Sequence, residues 1–245
     1  MEEPDSEETI GEIVARNYSK AIVFKTLGID FSCGGKQTLA GACKRHGLTK
    51  EEVLQQLNDE NVSAAGPDMD FKNWDIGFMC DYMIQLHHLH IKNNTPFIKE
   101  LSQKICNTYA ERHKEIVQVA EIFEHNSNLL MLNIAKEEKN VFPYIIALND
   151  AHKNKTAIKE TSISSISAYM METEHEKVIK NFSMLRTVTN DYLLPPYVPH
   201  SYGILYKMLQ EYEDDVHLHL HLENNILFPK AISMENEMIR KKNIE

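Results

Sequence analysis

A chain of 245 residues, 42% hydrophobic and 25% charged, has the composition of a globular protein, with room for one large domain or for a small and a medium one. Its formal net charge of −10 repels phosphate backbones and sets nucleic acid aside as a partner. No apolar run approaches the roughly 18 residues of a membrane span, and the acidic opening Met1-Glu2-Glu3-Pro4 is the opposite of a secretory signal, so no membrane association and a cytoplasmic location are expected.

Residues 7–58 read as a small N-terminal domain of several short helices. Thr9-x-x-Glu12 and Thr49-x-x-Glu52 each match a capping box, the reciprocal pairing that opens a helix. Between them the glycine pair of Ser32-Cys33-Gly34-Gly35 breaks any helix. The backbone N–H groups of Gly34 and Gly35 could stabilise a thiolate at Cys33, which makes Cys33 the candidate reactive residue; a structural loop thiol is the equal alternative. The other cysteines are Cys43, Cys80 and Cys106, and no Cys-x-x-Cys pair occurs, so free thiols are expected. Residues 59–73 are small and polar and read as a linker.

From residue 74 to about 235 the pattern turns long and helical, with segments near 74–109, 110–148, 163–188 and 201–231. Pro96 is expected to kink or interrupt the first, and Pro195, Pro196 and Pro199 forbid helix between the third and fourth. No period-two run argues for a sheet, so the expected class is all-α, with a four-helix bundle after the N-terminal domain. A weak repeat links the second and fourth segments: Glu137 and Glu223 each stand five residues before a Phe-Pro pair, Phe142-Pro143 and Phe228-Pro229.

Eleven of the 12 histidines lie at or after position 87. On helical spacing His219 and Glu223 share a face with Leu205, Met208, Tyr212 and Val216. Glu137 interrupts the apolar stripe of Phe123, Leu130, Val141 and Ile145; His175 interrupts that of Ala168, Met171, Val178 and Phe182; His88 interrupts that of Ile76, Ile84 and Ile91. A lone core histidine is more often a hydrogen-bonded structural residue, and a lone stripe glutamate often sits at its edge. Four helices that each carry such a group are better explained by a metal, because buried carboxylates need a cation or a proton. Imidazole with carboxylate suits iron, zinc or manganese, and the absence of a cysteine cluster favours iron over zinc. Only Glu172-x-x-His175 matches the Glu-x-x-His of ferritin-like sites, which disfavours that arrangement. His87, His90, His217 and His221 read as solvent-facing, helix-flank or supporting residues.

Gly28-Ile29-Asp30-Phe31-Ser32-Cys33-Gly34-Gly35-Lys36-Gln37-Thr38-Leu39 resembles the N-terminal signature of the di-iron iron–sulfur cluster repair proteins. Lys136-Glu137-Glu138, Glu174-His175-Glu176 and Leu222-Glu223-Asn224-Asn225 resemble that family's hemerythrin-like domain, in the right order. The resemblance implies a hemerythrin-like four-helix bundle with two iron ions held by His88, His113, Glu137, His175, His219 and Glu223, the two glutamates bridging. It implies repair of iron–sulfur proteins damaged by nitrosative and oxidative stress, with oxygen or nitric oxide as small ligands; a homodimer is compatible with it. Two departures stand out. Asn133 occupies the place where the family carries histidine, so the site loses a ligand, admits water, binds its second metal weakly or recruits His125. Ser32-Cys33 replaces adjacent cysteines, which excludes dithiol chemistry there. A gas-binding or sensing module, a di-iron nitric oxide reductase and an interaction protein with a decayed site are the alternative functions.

Overall fold

The computed structural model describes residues 7–59, 70–157 and 168–242. Most of the expected linker, at 60–69, and the expected start of the third long helix, at 163–167, lie outside them. The described residues hold helices and no strand, only an isolated bridge between Thr9 and Thr38. The chain divides into two compact units: one spans Met1–Met79, Leu148–Ile158 and Leu220–Glu245, the other Cys80–Ala147 and Lys159–His219, each as far as it is described.

In the first unit four short helices, α1 (Ile10–Arg16), α2 (Ala21–Thr26), α3 (Leu39–His46) and α4 (Lys50–Leu57), surround a core of Ile10, Ile13, Val14, Phe24, Leu39, Val53 and Leu57, all fully buried. Both expected capping boxes form, Thr9 with Glu12 and Thr49 with Glu52. Gly47 closes α3 in the left-handed region at φ 68°, where a side chain would be strained. The loop after α2 winds around one carboxylate. Asp30 Oδ1 accepts the N–H groups of Ser32 (2.8 Å) and Cys33 (3.1 Å) and the Ser32 hydroxyl (2.7 Å), while Oδ2 accepts the N–H of Gly34 (3.1 Å).

Long helical runs make up the other unit, and several of them continue along the chain into segments of the first. α5 (Ile76–Tyr82) widens into a π-type turn at Met83–His88 and continues as α6 (Leu89–Tyr109). α7 (Glu115–Lys136) passes through a π-type turn at Glu137–Val141 into α8 (Phe142–Asn154). α9 spans Ala168–Thr189, and α10 (His200–Leu222) passes through a third π-type turn, Glu223–Leu227, into α11 (Phe228–Lys242). α6 packs along α7, and α7 along α9. α9 meets α10 through Arg186 Nε, which donates to Glu213 Oε1 at 2.7 Å. The ring closes between α6 and α10, where the Thr95 hydroxyl meets that of Tyr212 at 2.8 Å. Contacts that run around four helices in this way define a four-helix bundle.

Pro96, expected to kink or interrupt the first segment, does not interrupt it: α6 runs on through the proline. The Phe-Pro repeat, in turn, has a backbone cause: Pro143 and Pro229 have no N–H for the carbonyl four residues back, and in each case the N–H of the preceding Phe reaches five residues back instead, Phe142 to Glu137 and Phe228 to Glu223.

The π-type turn at Glu223–Leu227 packs on α1 and on the Gly34–Lys36 turn of its own unit. Asn225 Nδ2 donates to the carbonyls of Ser32 (2.8 Å) and Phe31 (3.2 Å), and a Cβ on Gly11 or Gly35 would overlap the Asn225 side chain. Gly35→Ala is therefore expected to cost about 1–3 kcal/mol by displacing those hydrogen bonds. In a double-mutant cycle the same change should cost clearly less beside Asn225→Ala, where the overlap is gone; additive losses in urea denaturation would contradict the packing described.

Candidate metal centre

Four helices of the bundle each deliver a buried group. His88 ends the π-type turn before α6, Glu137 opens the one after α7, His175 lies mid-way along α9 and His219 lies one turn before the end of α10. All four are at most 1% exposed. His88 Nε2 stands 3.3 Å from Glu137 Oε2, His219 Nε2 3.9 Å from the same oxygen, and His175 Nε2 3.9 Å from Oε1. His88 Nε2 and His219 Nε2 are 3.3 Å apart. Donor atoms of His88, Glu137 and His219 all lie within 4.8 Å of one another.

The spacing fits a shared cation better than direct hydrogen bonds. Among the described residues neither oxygen of Glu137 has a well-formed hydrogen bond, and separations of 3.3–3.9 Å are long for one. Two imidazole nitrogens bound to one metal at about 2.1 Å sit about 3.0–3.4 Å apart for ordinary angles, which is where His88 and His219 stand. Burial pushes the Glu137 carboxyl towards its neutral form, but the close approach of the His175, His88 and His219 imidazoles outweighs it and holds the pKa down at about 2. Burial holds the His219 imidazole well below its ordinary value and outweighs the attraction of Glu137, so it stays neutral with a lone pair to offer. This buried His–Glu cluster can hold a metal ion.

The supports behind the ligands match that use. Glu138 Oε1 takes His88 Nδ1 at 2.9 Å and is itself gripped by Lys92 Nζ at 2.6 and 2.7 Å. A carboxylate on one ring nitrogen fixes the tautomer and turns the other nitrogen's lone pair inward. Partial burial would raise the Glu138 pKa, but Lys92 and His88 bring it below the usual carboxylate range. Phe142 stacks on the His88 ring, centroids 5.3 Å apart and planes at 17°.

The remaining candidates are placed as follows. Glu223 is fully buried, one turn beyond His219 on the same unbroken helical run. His113 lies in the turn before α7, with Nδ1 3.2 Å from Glu115 Oε1 and its ring against Tyr202, and is not gathered with the others. His125 is exposed and does not replace the histidine missing at 133. Asn133, one turn before Glu137, is buried, and among the described residues its Nδ2 has no hydrogen-bond partner. Cys33 is half-buried, with Sγ 3.5 Å from Asn224 Nδ2. The Gly34 N–H expected to serve its thiolate is taken by Asp30 Oδ2. His87 and His221, read from the sequence as solvent-facing, helix-flank or supporting residues, are 3% and 0% exposed, so neither faces solvent. Glu138, Lys92 and Asp215 were not singled out by the sequence; the only signal was charge at positions neighbouring, or one turn from, His88, Glu137 and His219.

Residues 6–61 match the ScdA_N family, described as a domain of unknown function (DUF542). Beyond the ScdA_N domain the likeness covers most of the chain. A protein of Haemophilus influenzae named probable iron-sulfur cluster repair protein is 28% identical over 212 residues, 86% of this chain and 90% of its own length. The iron-sulfur cluster repair protein ScdA of Staphylococcus epidermidis is 22% identical over 92% of this chain and 98% of its own. The iron-sulfur cluster repair protein YtfE of Citrobacter koseri is 25% identical over 94% and 98%.

The cluster also sets an acid response for the metal-free protein. Below the ordinary histidine value of 6.5 the unfolded chain binds a proton that folded His219 refuses; below 4.5 it binds one that Glu137, at about 2, refuses. Both signs are the same. The stability present above pH 6.5 should fall as pH drops through 6.5, and fall further from 4.5 towards 2, read as the urea midpoint against pH in chelator. A midpoint flat from neutrality to pH 4.5 would contradict the neutral buried His219.

Proposed function

We propose that this chain is a di-iron protein that repairs iron–sulfur clusters damaged by nitrosative and oxidative stress, with damaged iron–sulfur proteins as its partners. The reading rests above all on Glu137, a fully buried carboxylate ringed by the imidazoles of His88, His175 and His219. The names of the relatives matched over most of the chain point the same way. His88, His175 and His219 would be terminal ligands, and Glu137 and Glu223 the bridging carboxylates. His113, committed to Glu115 and Tyr202, is left out of the set. Bound iron would supply a labile, redox-active cation with affinity for oxygen or nitric oxide.

The chain's own residues set how firmly that cation is held. Glu138 and Lys92 fix His88 in one tautomer, and the packing of Phe142 on the ring keeps water from that side. Asn133 offers a carboxamide where the family resemblance gives imidazole, a weaker donor for iron, which favours donation over storage. Cys33, half-buried on the loop ordered by Asp30, would take part in docking a client or accept iron transiently.

Iron analysis of anaerobically purified protein should give about two ions per chain if two carboxylates bridge the site. Glu137→Ala and Glu223→Ala should each lose most of that iron. The same variants should lose the ability to restore an iron–sulfur enzyme inactivated by nitric oxide. Full restoration by a variant that retains no iron would overturn the proposal.

A further inference from the structure

His87 is a buried histidine that the site just described leaves without a role. It adjoins His88 in the π-type turn Met83–His88. On an α-helix neighbouring side chains diverge by about 100°, so two adjacent histidines do not point in one direction. A π-type turn carries more residues per turn and narrows that angle to roughly 80°. Here both rings are inside, His87 at 3% and His88 at 0% exposure.

The two imidazoles are prepared in the same way. His88 has Nδ1 on Glu138 at 2.9 Å, and His87 has Nδ1 on Asp215 Oδ1 at 2.8 Å. Asp215 lies one turn before His219 on α10, and the His87 ring lies near-parallel to that of His219, centroids 6.0 Å apart and planes at 24°. A carboxylate on Nδ1 leaves the lone pair on Nε2. Among the described residues His87 Nε2 is buried and has no hydrogen-bond partner. A buried imidazole nitrogen left in that state is costly for the fold unless something binds it. One turn before Glu137 the chain carries the complementary defect, the buried Asn133 amide with its own unsatisfied Nδ2.

We propose that His87 is an additional metal ligand, supplying through Nε2 the imidazole that Asn133 does not. The ring lies beside that of His219, on the first helical run next to His88, with Asp215 as the carboxylate that fixes its tautomer. A modest movement of the His87 ring on metal binding completes the set. This inference rests on the proposed metal site, and its test separates the two.

The test uses the full-length protein with His87→Ala, His87→Gln, Asn133→His and the pair His87→Ala/Asn133→His, loaded anaerobically with ferrous iron against a competing chelator; cobalt(II) absorption reports the nitrogen ligands. His87→Gln can keep a hydrogen bond to Asp215, so it separates ligand loss from loss of packing, and circular dichroism checks that each variant folds. We expect both His87 variants to lose roughly 10–100-fold in affinity for at least one metal and to change the cobalt spectrum. Asn133→His should restore affinity in the His87→Ala background. Unchanged affinity and spectrum in folded His87→Gln would overturn the role of His87 and leave the metal site standing. Failure of the parent protein to bind metal would overturn both.

Discussion

A carboxylate with no exposed surface must find a counter-charge, and in this protein much of the bundle is arranged around that requirement. Glu137 sits at the centre of a ring to which three helical runs contribute imidazoles. The hydrophobic stripes of those helices would pack just as well with leucine at these positions, and better by the ordinary ledger of buried polarity. The cluster is therefore a concession in stability made for chemistry. The supports repeat the theme one layer out: Glu138 behind His88, Lys92 behind Glu138, Asp215 behind His87. Each orients an imidazole that apolar packing alone would leave to rotate.

The three π-type turns are the local devices that make this arrangement reachable. Each one begins or ends on a buried candidate ligand: His88, Glu137 and Glu223. An α-helix fixes which residues share a face, whereas a widened turn shifts the register by a fraction of a turn and brings an extra side chain inside. In two of the three the cause lies in the sequence itself, because Pro143 and Pro229 withdraw the N–H that would close a regular turn. The Phe-Pro repeat is thus a backbone instruction as well as a mark of family likeness.

This explains what the sequence made legible and what it hid. The all-α class, both capping boxes and the core-facing positions of His88, Glu137, His175 and His219 follow from spacing, since 3.6-residue periodicity survives to the final structure. His87 was hidden because regular helical geometry assigns adjacent histidines to different faces, and the π-type turn that overrides it before α6 has no proline to announce it. Glu138 and Asp215 are given no role by spacing alone, and only tertiary contact with His88 and His87 supplies one. Pro96 does not interrupt its helix, because a helix that is long and packed enough absorbs one missing hydrogen bond without ending.

The N-terminal loop gains its meaning from the same logic. Asp30 collects three backbone N–H groups and a hydroxyl, so the stretch through Cys33 has a fixed shape without any regular structure. That shape presents the carbonyls of Phe31 and Ser32 to Asn225 and sets Cys33 Sγ beside Asn224. Asn224 and Asn225 directly follow Glu223, and the closeness of Asn225 to Gly11 and Gly35 leaves its side chain little freedom. The backbone that carries Glu223 is therefore held from the N-terminal segment as well as by its own helix. A chain that kept the bundle and lost this loop would keep the sequence of its last glutamate but lose part of what fixes its direction. A coordinating carboxylate depends on direction as much as on identity.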